Sequence, residues 1–282
     1  MMLNLTVKSA LASARRAQGA LWSGLWRIAL PNHCTLCGNL SQQRVCGACD
    51  TTPNENSVRR CPCCAAAFEP GLEQGLESAQ RCGACLASPP AFDASWVVAD
   101  YAAPLDALAQ ALKFSAQPGL ARWFADKLAA HAHLARLEID CIIPVPLSPE
   151  RLAARGYNQS WEIARPLARQ LRVPAASGYL QRLRDTAPQT EINDARQRRH
   201  NVRGAFALNA RSAHHSAQGL SGLHIAVVDD VMTSGATLAE IAGVLKRAGV
   251  ARVTNLVALR TPPPQTRYVT ASQHGHPHSL KH

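Results

Sequence analysis

The sequence predicts an α/β domain with a mainly parallel sheet, preceded by a small cysteine-rich zinc module. Three observations predict it. From residue 92 onward, short apolar runs alternate with segments whose apolar positions recur every three to four residues, the pattern of buried strands joined by helices. Nine of the ten cysteines fall between residues 34 and 85. Of the 282 residues, 47% are apolar, enough for a large core and too many for a disordered chain. No stretch reaches about 18 apolar residues, so no transmembrane segment is expected.

Residues 1–30 carry no acidic side chain; the first is Asp50. Leu11, Leu21, Leu25 and Ile28, with Trp22 and Trp26, could line one face of a basic amphipathic extension. Such a helix suits packing on the domain, a partner or a membrane surface. A secretory leader fits poorly, because Arg27 interrupts the apolar run and no small-residue cleavage site follows. A transit peptide stays open.

Residues 31–90 form the zinc module. Eight cysteines make four Cys-x-x-Cys pairs: Cys34/Cys37, Cys46/Cys49, Cys61/Cys64 and Cys82/Cys85. Two thiolates at this spacing hold one Zn²⁺ from a tight turn, and a second pair completes a tetrahedron. Two structural zinc sites of four thiolates each are expected. Neighbouring pairs would give two stacked ribbons; a crossed arrangement is the alternative. Gly38, Gly47 and Gly83 are expected to serve the reversed turns. Cys63 is left as a spare thiol, and Cys141 sits in an apolar run and reads as core. Free metal-binding thiols favour a reducing cytoplasm.

Residues 91–260 form the α/β domain. Trp96–Tyr101 reads as a strand, Pro104–Phe114 and Leu120–Ala132 as helices, and Cys141–Val145 as a short apolar strand. Ser160–Leu171 is helical, His224–Val228 a buried strand, Ala236–Ala248 a helix and Val250–Leu259 a strand. The Pro- and His-rich residues 261–282 lack a packing pattern and read as a disordered tail.

Charge is unevenly placed. Residues 1–150 carry 12 Lys and Arg against 12 Asp and Glu, whereas residues 151–282 carry 18 against 7. A basic C-terminal half implies an acidic partner: nucleic acid, a polyphosphate metabolite or an anionic membrane.

The segment His224–Leu238 narrows the choice. An apolar strand runs into Asp229 and Asp230, then Thr233, Ser234, Gly235, Ala236 and Thr237 open a helix. Such a loop presents backbone N–H groups and the positive end of a helix dipole to an anion. Gly235 leaves room for a phosphate to approach the backbone, and the hydroxyls add donors. The two carboxylates can accept from a vicinal diol, so the whole fits a sugar phosphate. There is no Gly-Lys dipeptide and no Gly-x-Gly-x-x-Gly, which excludes a Walker A loop and the usual dinucleotide fingerprint. Capping of the helix by the acids alone explains one of them and leaves the other without a role.

This segment resembles the 5-phosphoribosyl-1-diphosphate (PRPP) signature of type I phosphoribosyltransferases. The resemblance implies that Asp229 and Asp230 are catalytic and hold the ribose 2′- and 3′-hydroxyls, while residues 233–237 cradle the 5′-phosphate. Elsewhere, IPVPLSPERLAARGYNQ (143–159) places Arg151 and Arg155 four residues apart, projecting together near the diphosphate. The stretch 182–206 carries Arg182, Arg184, Arg196, Arg198, Arg199 and Arg203, which suits a mobile basic loop closing over a polyanion or tracking nucleic acid.

The four knuckles followed by PVPL, R-x-x-x-R-G-Y-N-Q, T-x-x-Q, R-x-x-N-V-x-G-A-F and VDDVMTSGAT resemble the ComF family over about residues 31–260. By the family pattern, Thr186, Gln189, Arg198, Asn201 and Phe206 belong to the loop and its return strand. Lys113-Phe114 resembles the family's Lys-aromatic pair, although the usual following Gly is displaced to Gly119. The resemblance implies a type I phosphoribosyltransferase-like domain binding PRPP with Mg²⁺, and a link to DNA uptake in natural transformation. It also implies partners: PRPP or a related sugar phosphate, single-stranded DNA, and a competence helicase or other DNA-processing proteins. The alternative is a catalytically silent module that binds single-stranded DNA, with Trp161 or Phe114 stacking on bases.

Overall fold

The computed structural model describes residues 32–50, 58–68, 80–114, 117–185, 195–209 and 219–262. The expected N-terminal amphipathic helix, the tail from 263, and Thr186 and Gln189 lie outside them. No helix among the described residues is long and apolar enough to cross a membrane.

The cysteine module repeats one device twice. Strands β1 (Asn32–His33) and β2 (Leu40–Ser41) pair antiparallel around the first knuckle, and the one-turn helix α1 (Gly47–Asp50) follows the second. Helix α2 (Gly83–Ala87) occupies the same place in the second repeat. The tetrapeptide CGAC stands at 46–49 and again at 82–85. Of the three glycines expected in reversed turns, only Gly38 has a positive φ, +75°. Its counterpart in the second repeat is Ala65, at φ +55°. Gly47 and Gly83 instead open helices, where the first backbone N–H groups must stay available.

The main domain follows: β3 (Ala94–Asp100), α3 (Asp106–Phe114), α4 (Pro118–Leu134), β4 (Cys141–Pro144), α5 (Pro149–Arg155) and α6 (Gln159–Leu171). Then come β5 (Leu180–Arg182), α7 (Ala195–Val202), β6 (Phe206–Leu208), β7 (His224–Met232), α8 (Ala236–Arg247) and β8 (Arg252–Arg260). The sheet is fully parallel in the order β3-β8-β7-β4. Its central strands are nearly continuous runs of buried residues, because helices cover both faces. On one face Leu108, Leu112, Leu120, Phe124, Leu128, Ile163 and Leu167 from α3, α4 and α6 pack on Ile142, Val228 and Leu256. On the other face Leu238, Ile241 and Leu245 from α8 pack on Ile143, Val227 and Val257.

The expected fold class is therefore what the chain adopts, with one consequential difference in extent. Strand β7 runs through both aspartates to Met232 rather than ending at Val228. Its partner β8 pairs with it to the register Met232–Arg260, which carries the ladder past the acids.

The arginine-rich stretch is not a single open loop. Leu180 and Phe206 are buried, and β5 pairs antiparallel with β6 through Leu180–Leu208 and Arg182–Phe206. This pair and α7 form a small layer beside α8, where Gly204 N–H donates to Glu240 at 2.8 Å.

The first cysteine repeat docks on α4. Trp123 Nε1 donates to the Asp50 carboxylate, and Lys127 lies 3.1 Å from the same group. The ion pair is partly exposed and contributes little by itself. The indole bond is the larger share. Asp50→Ala is expected to cost about 1 kcal/mol in chemical denaturation. Hydrogen exchange should accelerate at residues 34–50 and stay unchanged in β7.

Candidate functional site

The site arises where the chain leaves two adjacent strands toward opposite faces. After β4 it turns through α5 into α6 on one face, then returns past the sheet edge, where Ala175 bridges Ile142 in parallel. After β7 it turns into α8 on the other face. Such a divergence opens a crevice at the carboxyl ends of the strands. Here the crevice is a cavity of about 970 Å³. It is lined by Asp229 and Asp230 from β7, Thr233 and Thr237 beyond it, and four cations: Lys113, Arg151, Arg155 and Arg182.

Both aspartates are buried, at 8% and 6% exposure. Asp229 accepts from Ser160 Oγ at 3.1 Å and from the Asp230 N–H at 3.0 Å. Asp230 Oδ2 has no hydrogen bond and faces Lys113 Nζ at 3.3 Å. Lys113 is thus the counter-ion of the second acid, a role its displaced glycine had obscured. Burial, and then the charge of Asp230, push the Asp229 carboxyl well above the usual carboxylate range.

The loop residues divide their work. Thr233 and Thr237 face the cavity. Ser234 Oγ turns back to accept from the Ala236 N–H at 3.4 Å. Gly235 has φ +78° and caps α8. A Cβ there would lie 2.6 Å from Met232 Cε, with Phe92 next. The positive φ favours glycine here, and Met232 and Phe92 pack behind it.

Arg151 and Arg155 both face the cavity from α5, each already held. Arg151 Nε lies 3.1 Å from Asp185, and Arg155 Nη1 donates to Gln159 at 2.6 Å. The RGYNQ segment is the scaffold for this corner. Gly156 ends α5 at φ +79°, Tyr157 donates to the Leu112 carbonyl at 2.7 Å, and Asn158 caps α6.

Of the other arginines, Arg182 belongs to the crevice, its guanidinium 5.4 Å from the centre of the Phe206 ring. Desolvation, then the neighbouring Arg151, lower its pKa. Arg184 is exposed, and its Nη2 donates to the carbonyls of Asn201 and Arg203, closing the end of α7. Arg203 is exposed in the following turn, and the side chains of Arg196, Arg198 and Arg199 lie outside the described residues. Trp161 packs against the core, whereas Phe114 is 80% exposed at the cavity mouth.

Two groups of four cysteines are the second feature. Cys34, Cys37, Cys46 and Cys49 bring their sulfurs within 4.8 Å of one another, as do Cys61, Cys64, Cys82 and Cys85. Neighbouring knuckles pair, and the crossed alternative is excluded. The two groups match in detail: the Cys46 N–H donates to Cys34 Sγ and the Cys82 N–H to Cys61 Sγ, each at 3.3 Å. Burial pushes the Cys34 thiol up, but N–H donors from Cys46, Cys37 and Leu36 outweigh it and bring it to about 6. Cys61 falls to about 4, through the Cys64 thiol first and backbone N–H groups against burial. Four thiols, one already thiolate-like, suit a tetrahedral soft-metal site.

No family model matches the chain. It is 35% identical over 242 residues to the DNA utilization protein YhgH of Salmonella typhi, covering 83% of this chain and 99% of that one. It is equally similar to YhgH of Escherichia coli K12, over the same shares. Competence protein F of Haemophilus influenzae is 35% identical over 181 residues, 62% of this chain and 76% of that one. The chain belongs to the ComF family.

Among solved structures, this ComF-family chain is similar to a glutamine PRPP amidotransferase from B. subtilis. That match has 18% identity over 53% of this chain and 30% of that one, with a TM-score of 0.34. It is also similar to an adenine phosphoribosyltransferase from Leishmania donovani, at 14% identity, 66% and 92% coverage and a TM-score of 0.33. The chain thus spans under a third of the amidotransferase's length.

Sequence reasoning missed three contributors. Ser160 holds Asp229, and its only signal was its place beside the Asn158 cap. Lys113 was seen without a role. Arg260 carries no local motif and is located only by sheet register.

The acid pair has a pH signature. An acid whose native pKa is raised contributes stability below the ordinary carboxylate range, and loses it as pH rises toward the native value. Asp229→Asn removes that loss. Its melting temperature should exceed that of the wild type, by a margin that widens from pH 4 to pH 8 in a differential scan.

Proposed function

We propose that this ComF-family protein binds PRPP with Mg²⁺ in the crevice at β4 and β7, transfers the phosphoribosyl group to an acceptor, and serves DNA uptake. The observation that supports this most is the pairing, in one cavity, of two buried carboxylates with four cations and the hydroxyls of Thr233 and Thr237. A ribose diol needs acceptors, a 5′-phosphate needs N–H and O–H donors, and a diphosphate needs cations. Asp229 and Asp230 would accept from the 2′- and 3′-hydroxyls. The loop 233–237 would hold the 5′-phosphate at the start of α8. Arg151, Arg155, Arg182 and Lys113 would neutralise the diphosphate as it departs from the anomeric carbon.

The donor set also suits the metal. Carboxylate oxygens are Mg²⁺ ligands, and Asp230 Oδ2 makes no hydrogen bond. Asp229 and Asp230 would hold Mg²⁺, which when bound would supply neutralisation of the diphosphate charge.

In the cysteine groups we assign zinc, as two structural sites. Replacing Cys46 or Cys82 by Ser should each lower the zinc content from two ions to one per chain by elemental mass spectrometry. The metal-linked stabilisation at stake is on the order of 10 kcal/mol per site.

The names of the curated relatives, DNA utilization protein and Competence protein F, support the assignment to DNA uptake. A second reading, a silent module for single-stranded DNA, is favoured by Phe114, an exposed aromatic at the mouth of a basic cavity. On that reading oligonucleotide affinity falls steeply with salt and drops in Phe114→Ala and in Arg198→Ala/Arg199→Ala.

PRPP with Mg²⁺ at about a hundredfold its Kd should stabilise the protein by about 2.7 kcal/mol. The matching rise in melting temperature should vanish in Asp230→Asn. A folded wild type that shows no rise contradicts the PRPP assignment. Diphosphate release on adding candidate bases or oligonucleotides separates the transferase from the silent module.

A further inference from the structure

We propose that Arg260 is a positioning residue that ties the second four-cysteine cluster to the anion loop, so that this cluster, and not the first, governs anion affinity. The inference rests on the assignment of residues 233–237 as a phosphate loop and of both clusters as zinc sites.

Arg260 is the last residue of β8 and is 7% exposed. Sheet register sets it opposite Met232 on one side and Asp100 on the other. Its Nε donates to the carbonyl of Cys64, a member of the second cluster, at 3.2 Å. Its Nη1 donates to the carbonyls of Met232 at 3.1 Å and Thr261 at 2.7 Å, and to that of Thr233. Thr233 is the first residue of the anion loop. One guanidinium therefore joins a cysteine knuckle directly to the loop's backbone. A planar fork with five donors can reach carbonyls on both sides at once; a lysine cannot.

A buried cation needs a counter-charge. The nearby Asp100 already takes Arg60 Nη1 at 2.7 Å. Four thiolates outweigh the charge of one Zn²⁺, so a loaded cluster carries the negative charge that would hold Arg260 in place.

A second contact runs the same way. The chain leaving the cluster brings Phe92 behind the loop, with its ring 3.7 Å from the point where a Cβ of Gly235 would sit. The Cys63 thiol, inside the same knuckle, lies 4.0 Å from the Phe92 carbonyl. The first cluster has no such route among the described residues. It rests on α4 through Asp50, and Arg44 lies against Gly119.

The test uses the full-length, zinc-loaded protein. Binding of inorganic phosphate, and of PRPP with Mg²⁺, is measured by calorimetry alongside zinc content and hydrogen exchange. Arg260→Lys should keep two zinc ions yet bind both ligands on the order of tenfold more weakly. Cys82→Ser should weaken binding similarly, and Cys46→Ser should stay within about twofold of wild type. Arg260→Lys should add no further loss to Cys82→Ser. Backbone amides 233–237 should exchange faster in Arg260→Lys and Cys82→Ser only. If Cys82→Ser does not fold, graded chelation of the wild type gives the same readout at those amides.

A wild type that binds neither ligand defeats the anion-loop assignment itself. A wild type that binds, with Arg260→Lys matching it, overturns the positioning role. Equal effects from Cys46→Ser and Cys82→Ser overturn the selectivity.

Discussion

The divergence of the chain from β4 and β7 is the constraint on which the site depends. Parallel strands demand crossovers, and crossovers to opposite faces leave the two carboxyl ends uncovered. The two buried acids of the described residues gather there. Asp229 and Asp230 fall at the end of β7, Arg151 and Arg155 on the helix after β4, and Lys113 at the end of α3. None of these groups is placed by its neighbours in sequence alone. The sheet order places them.

That arrangement is costly without a ligand. Two adjacent carboxylates in a buried strand repel one another and lose hydration, and a single cation at 3.3 Å offsets part of this for one of them. The cost is tolerated because the strand continues past them: the ladder with β8 extends to Met232, so the backbone cannot relax the pair apart. Arg182 is the complementary case, a cation made less favourable by burial and by Arg151.

Much of this was legible in the sequence, for identifiable reasons. Apolar runs fixed by burial on both sheet faces announced β4, β7 and β8, and regular Cys-x-x-Cys spacing announced both four-cysteine clusters. Asp229, Asp230 and the loop after them were visible because strand, acids and small residues are contiguous. What stayed hidden depends on distant pairing. Knuckle partnership required the fold, since spacing permits two arrangements. The bonds of Arg184 to the Asn201 and Arg203 carbonyls likewise depend on how the chain folds back. That Met232 and Phe92 lie behind Gly235 was hidden for the same reason.

The second cluster also changes what the cysteine module is. Cys61, Cys63 and Cys85 are buried in the same apolar cluster as Ile143, Val227 and Val257 of the central sheet. A ribbon merely appended to the domain would keep its own small core and leave the sheet face to helices. Here the ribbon supplies part of that face, beside α8 and beneath the loop. A segment so poor in large aliphatic residues can hold such a position only if its own shape is fixed by other means. Four cysteines converging within 4.8 Å provide those means. The second pair of knuckles is therefore best understood as a structural support packed behind the residues that follow β7, which is why a backbone carbonyl of a cysteine, Cys64, comes to share an arginine with Thr233.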